Sequence, residues 1–320
     1  MRTIDRVGVE EIVAAAARLQ GSVVRTPLVP LNLDDAPAPI YLKLENLQPI
    51  GSFKVRGAGN AMAMLGRDKL AAGVYTASAG NMAQGVAWNA RRLGVPCTVV
   101  VPDHAPATKL EAITRLGARI EKVPFDDWWR VIVEHHHDGI EGTFIHPVSN
   151  TAVIAGNGTI GLEILEDLPD VHTVVIPFGG GGLSCGIAAA IHARNPDTTV
   201  YAAEVSTAAP LAASLRAGEP STVDYTPSFV DGIGGKSVLQ EMWPLIRNLI
   251  DDTIVSSPAA IADAVRLLVE RNRVVAEGAG AAAVAAALSA IDGPGKVVCV
   301  VSGGNIDAAK LSTILAGEVP

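Results

Sequence analysis

Residues 52 to 57 read Ser52-Phe53-Lys54-Val55-Arg56-Gly57, which sets one lysine between an aromatic ring and a glycine turn. A primary amine attacks a carbonyl only when it is neutral, so a lysine used covalently needs partial desolvation or cationic neighbours to lower its pKa. Phe53 offers the first and Arg56 the second. Lys54 is therefore the candidate nucleophile, a covalent anchor for an aldehyde. Most lysines are solvated surface charges, so this segment gains meaning only from what accompanies it.

A second signal is the run Gly179-Gly180-Gly181-Gly182, which follows a short apolar strand and opens a helix at Leu183. Amides without side chains can approach a phosphate closely, and the helix N-terminus favours an anion. As a mere flexible turn, four glycines would carry an entropy cost with no structural return. The run is not a dinucleotide fingerprint, because the third small glycine or alanine is missing, and no Lys-Ser/Thr pair makes it a Walker loop. Gly278 to Ala283 does match GxGxxA, but without a clear preceding strand it reads as packing at a helix start.

Two further turns carry polar side chains, Ser78-Ala79-Gly80-Asn81 and Ser302-Gly303-Gly304-Asn305. Asn81 could hold a ring oxygen and Ser302 a ring nitrogen, each through one hydrogen bond. The alternative for either alone is a helix N-cap.

These residues need elements to position them. Residues 9 to 19 have helical spacing, Thr26-Pro27-Leu28 breaks into an extended stretch ending in a strand at 41 to 44, and the lysine segment follows directly. From Val74 the pattern becomes strand (74–77), glycine turn, and helix (82–93) closed by Gly94 and Pro96. It repeats as strand 97–101, helix 107–116, strand 118–123, helix 126–137 and strand 143–145. A second alternation runs through helix 158–168, strand 173–176, the glycine run with its helix, strand 200–204, helix 208–217, strand 253–255, helix 258–270 and strand 297–301. Strands alternating with such helices imply parallel βαβ units.

The expected fold class is α/β, with two open, twisted, mostly parallel sheets covered by helices. The ligand is expected in the cleft between a larger domain (1–50 and 151–320) and a smaller one (51–150). In open α/β sheets, ligands bind where strand carboxyl ends meet helix N-termini, and each glycine turn sits at such a place, so a shared site is expected.

Composition narrows the function classes. With 320 residues, 49% hydrophobic, 32 glycines and few aromatics, the chain can close two Ala/Val/Ile/Leu cores of the kind that suits helix-covered parallel sheets. A net charge of -8 and a pI near 5.4 argue against nucleic acid as partner. Cys97, Cys185 and Cys299 lack paired metal spacing and fit packed free thiols in a reducing compartment. Charges in Met1 to Arg6 interrupt any signal-peptide core, and the apolar run 279–290 is too short to span a bilayer, so a cytoplasmic protein with no membrane partner is expected. In His135-His136-His137, successive helical residues point about 100° apart and cannot converge on one ion. The triplet reads as a solvated helix end, and Trp128-Trp129 as packing.

In this order, GSFKVRG, SAGN, the tetraglycine loop and SGGN resemble the pyridoxal-phosphate enzymes of the threonine/serine dehydratase and serine racemase family, with its tryptophan synthase β-like fold. The resemblance runs from about residue 20 to the C-terminus and implies pyridoxal 5'-phosphate as cofactor. It makes Lys54 the Schiff-base lysine with Phe53 beside the cofactor. Asn81 becomes the partner of the pyridine 3-oxygen, Gly179, Gly180, Gly181, Gly182 and Leu183 the phosphate cradle, and Ser302 the partner of the pyridine nitrogen. Ser78, Ala79, Gly80 and Met82 are the implied substrate contacts. A hydroxyl at the ring nitrogen does not force it to stay protonated, so the electron sink is milder and favours prompt loss of a β-leaving group. The implied reaction takes a β-hydroxy amino acid to a 2-oxo acid and ammonia, with Lys54 as general base. A homodimer is also implied.

Departures from the family pattern matter. Ala79 stands where serine racemases carry a second serine, which disfavours racemisation. Met82 replaces the histidine of the usual SAGNH, which points toward a bulkier or less common β-hydroxy amino acid, such as a hydroxyaspartate or an ectoine-pathway intermediate. The family's divalent-cation acids correspond to Glu204 and a position occupied here by Pro210, so no strong divalent site is expected. The chain ends at Pro320 without a regulatory domain, so feedback by isoleucine is not expected. The competing readings are a β-replacement enzyme or racemase of the same fold, and a metabolite-binding protein without covalent chemistry.

Overall fold

The computed structural model describes residues 3 to 320; the Met1-Arg2 part of the N-terminal stretch lies outside them. The strands are β1 (Leu28–Pro30), β2 (Ile40–Lys43), β3 (Val74–Ala77), β4 (Cys97–Pro102), β5 (Arg119–Val123), β6 (Thr143–Phe144), β7 (Thr173–Pro177), β8 (Thr199–Val205), β9 (Asp252–Ser256) and β10 (Val297–Val300). The helices in the first half are α1 (Val9–Leu19), α2 (Lys54–Ala63), α3 (Arg67–Ala71), α4 (Asn81–Leu93), α5 (Ala107–Arg115) and α6 (Phe125–Glu134). The rest are α7 (Thr151–Asp167), α8 (Gly182–His192), α9 (Pro210–Ala217), α10 (Trp243–Leu249), α11 (Pro258–Leu267), α12 (Gly278–Ala290) and α13 (Ala308–Leu315).

Two open sheets result, one of six strands in the order β1-β2-β10-β7-β8-β9 and one of four in the order β5-β4-β3-β6. Every pairing is parallel except the edge pair β1 and β2. The chain leaves the six-stranded sheet after β2, builds the four-stranded sheet, and returns at β7.

Both faces of the larger sheet are buried, which explains its near-continuous aliphatic strands. Val174, Ile176, Val298 and Val300 pack with α7, α8 and α10 on one face. Val175, Val297 and Cys299 point to the other, against α11 and α12. The smaller sheet divides in the same way, with Val99 and Val101 toward α2 and α4, and Tyr75 and Val100 toward α6. No described helix is long and apolar enough to cross a membrane.

Several expectations shift. Gly57 is not in a turn but inside α2, where an added Cβ would lie 2.7 Å from Asn157 Oδ1 and 2.8 Å from the Val153 carbonyl of α7. The helix expected over 126–137 stops at Glu134, because His135 takes a left-handed conformation at φ 59°. The helix at 158–168 begins earlier, at Thr151, capped by Asn150, whose side chain accepts from the Val153 amide. Buried α12 starts at Gly278, as the packing interpretation of that glycine segment requires.

Candidate active site

Parallel topology gathers the candidate residues. β7 and β10 are neighbours, so the glycine run after one and Ser302 after the other emerge at the same carboxyl edge. In the smaller sheet β3 and β6 are neighbours, and their carboxyl ends present Ser78 to Asn81 and His146 to Val148. Lys54 is tied to the larger sheet through a bridge between Ser52 and Gly303 and a bond from the Phe53 amide to the Ser302 carbonyl at 3.0 Å. A cavity of about 450 Å³ opens between these edges. Phe53, Lys54, Ser78, Ala79, Gly80, Asn81, Met82, Gly179, Gly180, Gly181, Gly182, Leu183 and Ser302 all line it.

Lys54 is the first residue of α2, and Gly85 of α4 lets the two helices meet closely, since a Cβ there would lie 2.9 Å from the Lys54 carbonyl oxygen. The Lys54 ammonium donates to the Pro147 carbonyl at 3.1 Å and lies 5.1 Å from the centroid of the Phe53 ring. Burial lowers its pKa to about 8, and the charge of Glu277 pulls it partly back.

The expected help from Arg56 is absent. Residues two apart on a helix point roughly 200° apart, so Arg56 faces away from the lysine. Its guanidinium holds Glu45 through two bonds of 2.8 Å and Glu163 at 2.7 and 2.9 Å, with Lys43 Nζ 2.6 Å from the same Glu163. Burial opposes ionisation of Glu45, but the facing guanidinium outweighs it and holds the carboxyl below the usual range. Arg56 is thus part of a buried ion network beneath the site.

The glycine loop has the form of an anion cradle. The amides of Gly179, Gly180, Gly181, Gly182, Leu183 and Ser184 have no hydrogen-bond acceptor among the described residues, although they flank the N-terminus of α8. Gly181 has φ 92°, and a Cβ on Gly180 would lie 2.7 Å from both Val148 methyl carbons. Ser302 is buried, and its hydroxyl has no partner among the described residues. Neither Asn81 nor Ser302 caps a helix. Asn81 Nδ2 donates to Glu277 Oε1 at 2.8 Å and Asn81 Oδ1 accepts from Asn305 Nδ2 at 2.8 Å. A neutralisable amine, a cluster of unpaired amides and a lone hydroxyl around one cavity fit an aldehyde-bearing, phosphorylated heterocycle such as pyridoxal phosphate.

Glu277 was not among the sequence candidates. It lines the cavity, and burial pushes its carboxyl up to about 7 while the bond from Asn81 holds it down. The signal available was an acid placed directly before the Gly278 helix start.

Three other predictions fall outside the cavity. Burial raises the pKa of all three thiols, Cys97 to about 12, as inert packing requires. Glu204 accepts from the Leu211 and Ala212 amides, both at 2.8 Å, so it caps α9 with both oxygens. His136 is exposed, but the solvated-end reading fails for His135. That ring stacks on buried His146 at 4.2 Å between centroids and lies 3.1 Å from Glu241 Oε1. His146 Nδ1 accepts from the Val148 and Ser149 amides at 3.0 and 2.7 Å and Nε2 donates to the Ile132 carbonyl at 3.1 Å. Nδ1 thus holds the turn that carries Pro147 and Val148, and Nε2 ties that turn to α6.

Comparison with known proteins agrees with this geometry. Residues 19–303 match the family described as pyridoxal-phosphate dependent enzyme. The L-threonine ammonia-lyase of Thermotoga maritima is 41% identical over 97% of this chain and 78% of its own length. The catabolic L-threonine dehydratase of Escherichia coli is 39% identical over 96% of both chains. Among solved structures, maize serine racemase superposes with a TM-score of 0.89 at 33% identity, over 97% of both chains. The fold, the cavity and these likenesses lead to one conclusion: the chain belongs to the family of pyridoxal-phosphate dependent enzymes.

Proposed function

We propose that this enzyme is an ammonia-lyase, or dehydratase, that converts a β-hydroxy amino acid of the threonine/serine type into a 2-oxo acid and ammonia. The observation that carries the choice of elimination is Ala79. It puts a methyl group where the resemblance places the second acid/base of a racemase, beside a cavity whose amine is Lys54.

When bound, the cofactor supplies an electron-withdrawing ring that acidifies the hydrogen on the substrate Cα. The unpaired amides of Gly179 to Leu183 would hold its anionic tail, and Asn81, fixed by Glu277 and Asn305, would meet its ring oxygen. Ser302 would offer a neutral hydroxyl to the ring nitrogen. Burial lowers the Lys54 pKa to about 8, so near neutral pH a fraction of its amine is neutral and can accept the Cα proton, and the Pro147 carbonyl would orient that nitrogen. Loss of the proton and the β-hydroxyl removes one water, and later hydrolysis of the C–N bond returns one, so the net change is release of ammonia.

We further assign residues 1–50 and 151–320 to one lobe and 51–150 to the other, and take the enzyme to be a cytoplasmic homodimer that also accepts serine. Incubating the holoenzyme with L-threonine should yield 2-oxobutanoate and ammonia in equal amounts. A holoenzyme that releases no ammonia from any β-hydroxy amino acid contradicts the proposal. The relation to maize serine racemase keeps a second reading in view, and the chirality of unreacted serine decides it: D-serine appearing faster than pyruvate favours racemisation.

A further inference from the structure

Four residues of α6 at helical spacing, Phe125, Trp128, Trp129 and Ile132, line the same cavity as Lys54. An apolar stripe with i, i+3, i+4, i+7 spacing is ordinarily a core face. Here only half of it meets the core, since Trp128 packs against the cluster that holds Ile132. Ile132 is buried, whereas Phe125 is 46% exposed and Trp129 42% exposed, so the stripe runs out of the core into the cleft. The earlier assignment of Trp128-Trp129 to simple packing therefore fails for Trp129.

The rings form a connected wall. Phe125 lies 5.6 Å from Trp128, and Trp128 lies 6.2 Å from Trp129, with tilts of 37° and 43°. Phe125 also meets the His104 ring at 6.0 Å between centroids, and tilted contacts at such distances are a favoured geometry for aromatic pairs. Trp128 Nε1 is a buried donor without a partner among the described residues. Met82 also borders the cavity, but its side chain is buried in the core between α2, α4 and β4, on the opposite face of the smaller sheet from α6.

Charge points the same way. The cavity's cations are Lys54 and Lys109, and Lys109 is already paired with Asp231 at 2.9 Å, while Glu277 adds a second acid. A substrate with a side-chain carboxylate would meet Asp231 and Glu277 with no unpaired cation to receive it.

We propose that the substrate of this site carries an aromatic β-substituent, a 3-aryl-serine, seated against Phe125, Trp128 and Trp129. This rests on the elimination reading above and names its substrate class. The reaction breaks Cα–H and Cβ–OH, expels water and takes it back on releasing ammonia, so 3-phenylserine gives phenylpyruvate plus ammonia.

The test uses the holoenzyme with two readouts. kcat/KM for 3-phenylserine should exceed that for threonine, and the ratio should fall about tenfold in Trp129→Ala and in Phe125→Ala, the scale set by removing pocket contacts. L-Phenylalanine, which has no β-hydroxyl to lose, should quench tryptophan fluorescence with a Kd about tenfold below that of L-alanine, and Phe125→Ala should erase that preference. Selective phenylalanine binding without turnover of any hydroxy amino acid would sink the lyase reading but support the aromatic site. Threonine turnover without phenylserine turnover or phenylalanine preference would overturn the aromatic site alone. A change of oligomeric state in Trp129→Ala with the phenylserine-to-threonine ratio intact would also overturn it, by showing that the wall faces another copy of the chain.

Discussion

Gly180→Ala tests the cradle with a single methyl group. A Cβ at this position would lie 2.7 Å from Cγ1 and 2.7 Å from Cγ2 of Val148, well inside van der Waals contact. Val148 has little freedom to retreat, because its own amide donates to His146 Nδ1 at 3.0 Å and the next amide does so at 2.7 Å. Overpacking of this kind costs about 1–3 kcal/mol. If the loop shifts to relieve it, its unpaired amides move off the phosphate, and at 1.4 kcal/mol per decade the cofactor Kd rises about 5- to 150-fold. The assay is titration of the apoenzyme with pyridoxal phosphate, followed by visible absorbance. Val148→Ala removes both clashing methyl groups, so Gly180→Ala with Val148→Ala should regain most of the lost affinity. The reasoning is refuted if Gly180→Ala binds the cofactor as the wild type does, or if the double variant binds no better than Gly180→Ala alone.

Other outcomes follow from the same contacts. Because burial lowers Lys54 to about 8, its neutral fraction in the apoenzyme should grow about tenfold per pH unit below that value and level off above it. The rate of aldehyde capture measured against pH should show this, and a midpoint near the ordinary lysine value would contradict it. The same shift means that the unfolded chain binds more protons between about pH 8 and the ordinary lysine pKa, so Lys54 should add to apoenzyme stability as pH rises through that window. Arg56→Met leaves Glu45 buried without its guanidinium, with only Thr26 and Gln48 still donating to it, and should destabilise the protein by about 3–5 kcal/mol in urea unfolding. A loss below about 1 kcal/mol would mean that the network relaxes or hydrates. With both Glu204 oxygens committed to the amides of α9, low-millimolar Mg²⁺ should leave the Tm essentially unmoved, whereas a rise of several degrees would reveal a divalent site there.

The framework was legible because parallel sheets write their turns plainly: a short aliphatic run, glycines, then a helix, three times over. That pattern located the glycine run, Asn81 and Ser302 and, with the lysine, the cavity they share. Side-chain direction was less legible. Arg56 stands two residues from Lys54, yet helical geometry turns it to Glu45 and Glu163. Glu277 acquires its role only when α12 packs against the turn holding Ser302 and Asn305, a contact between segments that local pattern does not encode. The histidine triplet was misjudged for a local reason, since one left-handed residue at His135 ended the helix and swung that ring onto His146. Trp129 followed the usual spacing of a core residue, and only the position of α6 at the cleft edge exposed it.

The central claim is that the cofactor's aldehyde is tethered to Lys54. Borohydride reduction of the holoenzyme, followed by proteolysis and mass spectrometry, tests it most directly. The expected product is a pyridoxyl adduct confined to the peptide containing Lys54 and absent from Lys54→Ala. An adduct on Lys109 or another lysine, or none on a cofactor-saturated enzyme, would contradict it.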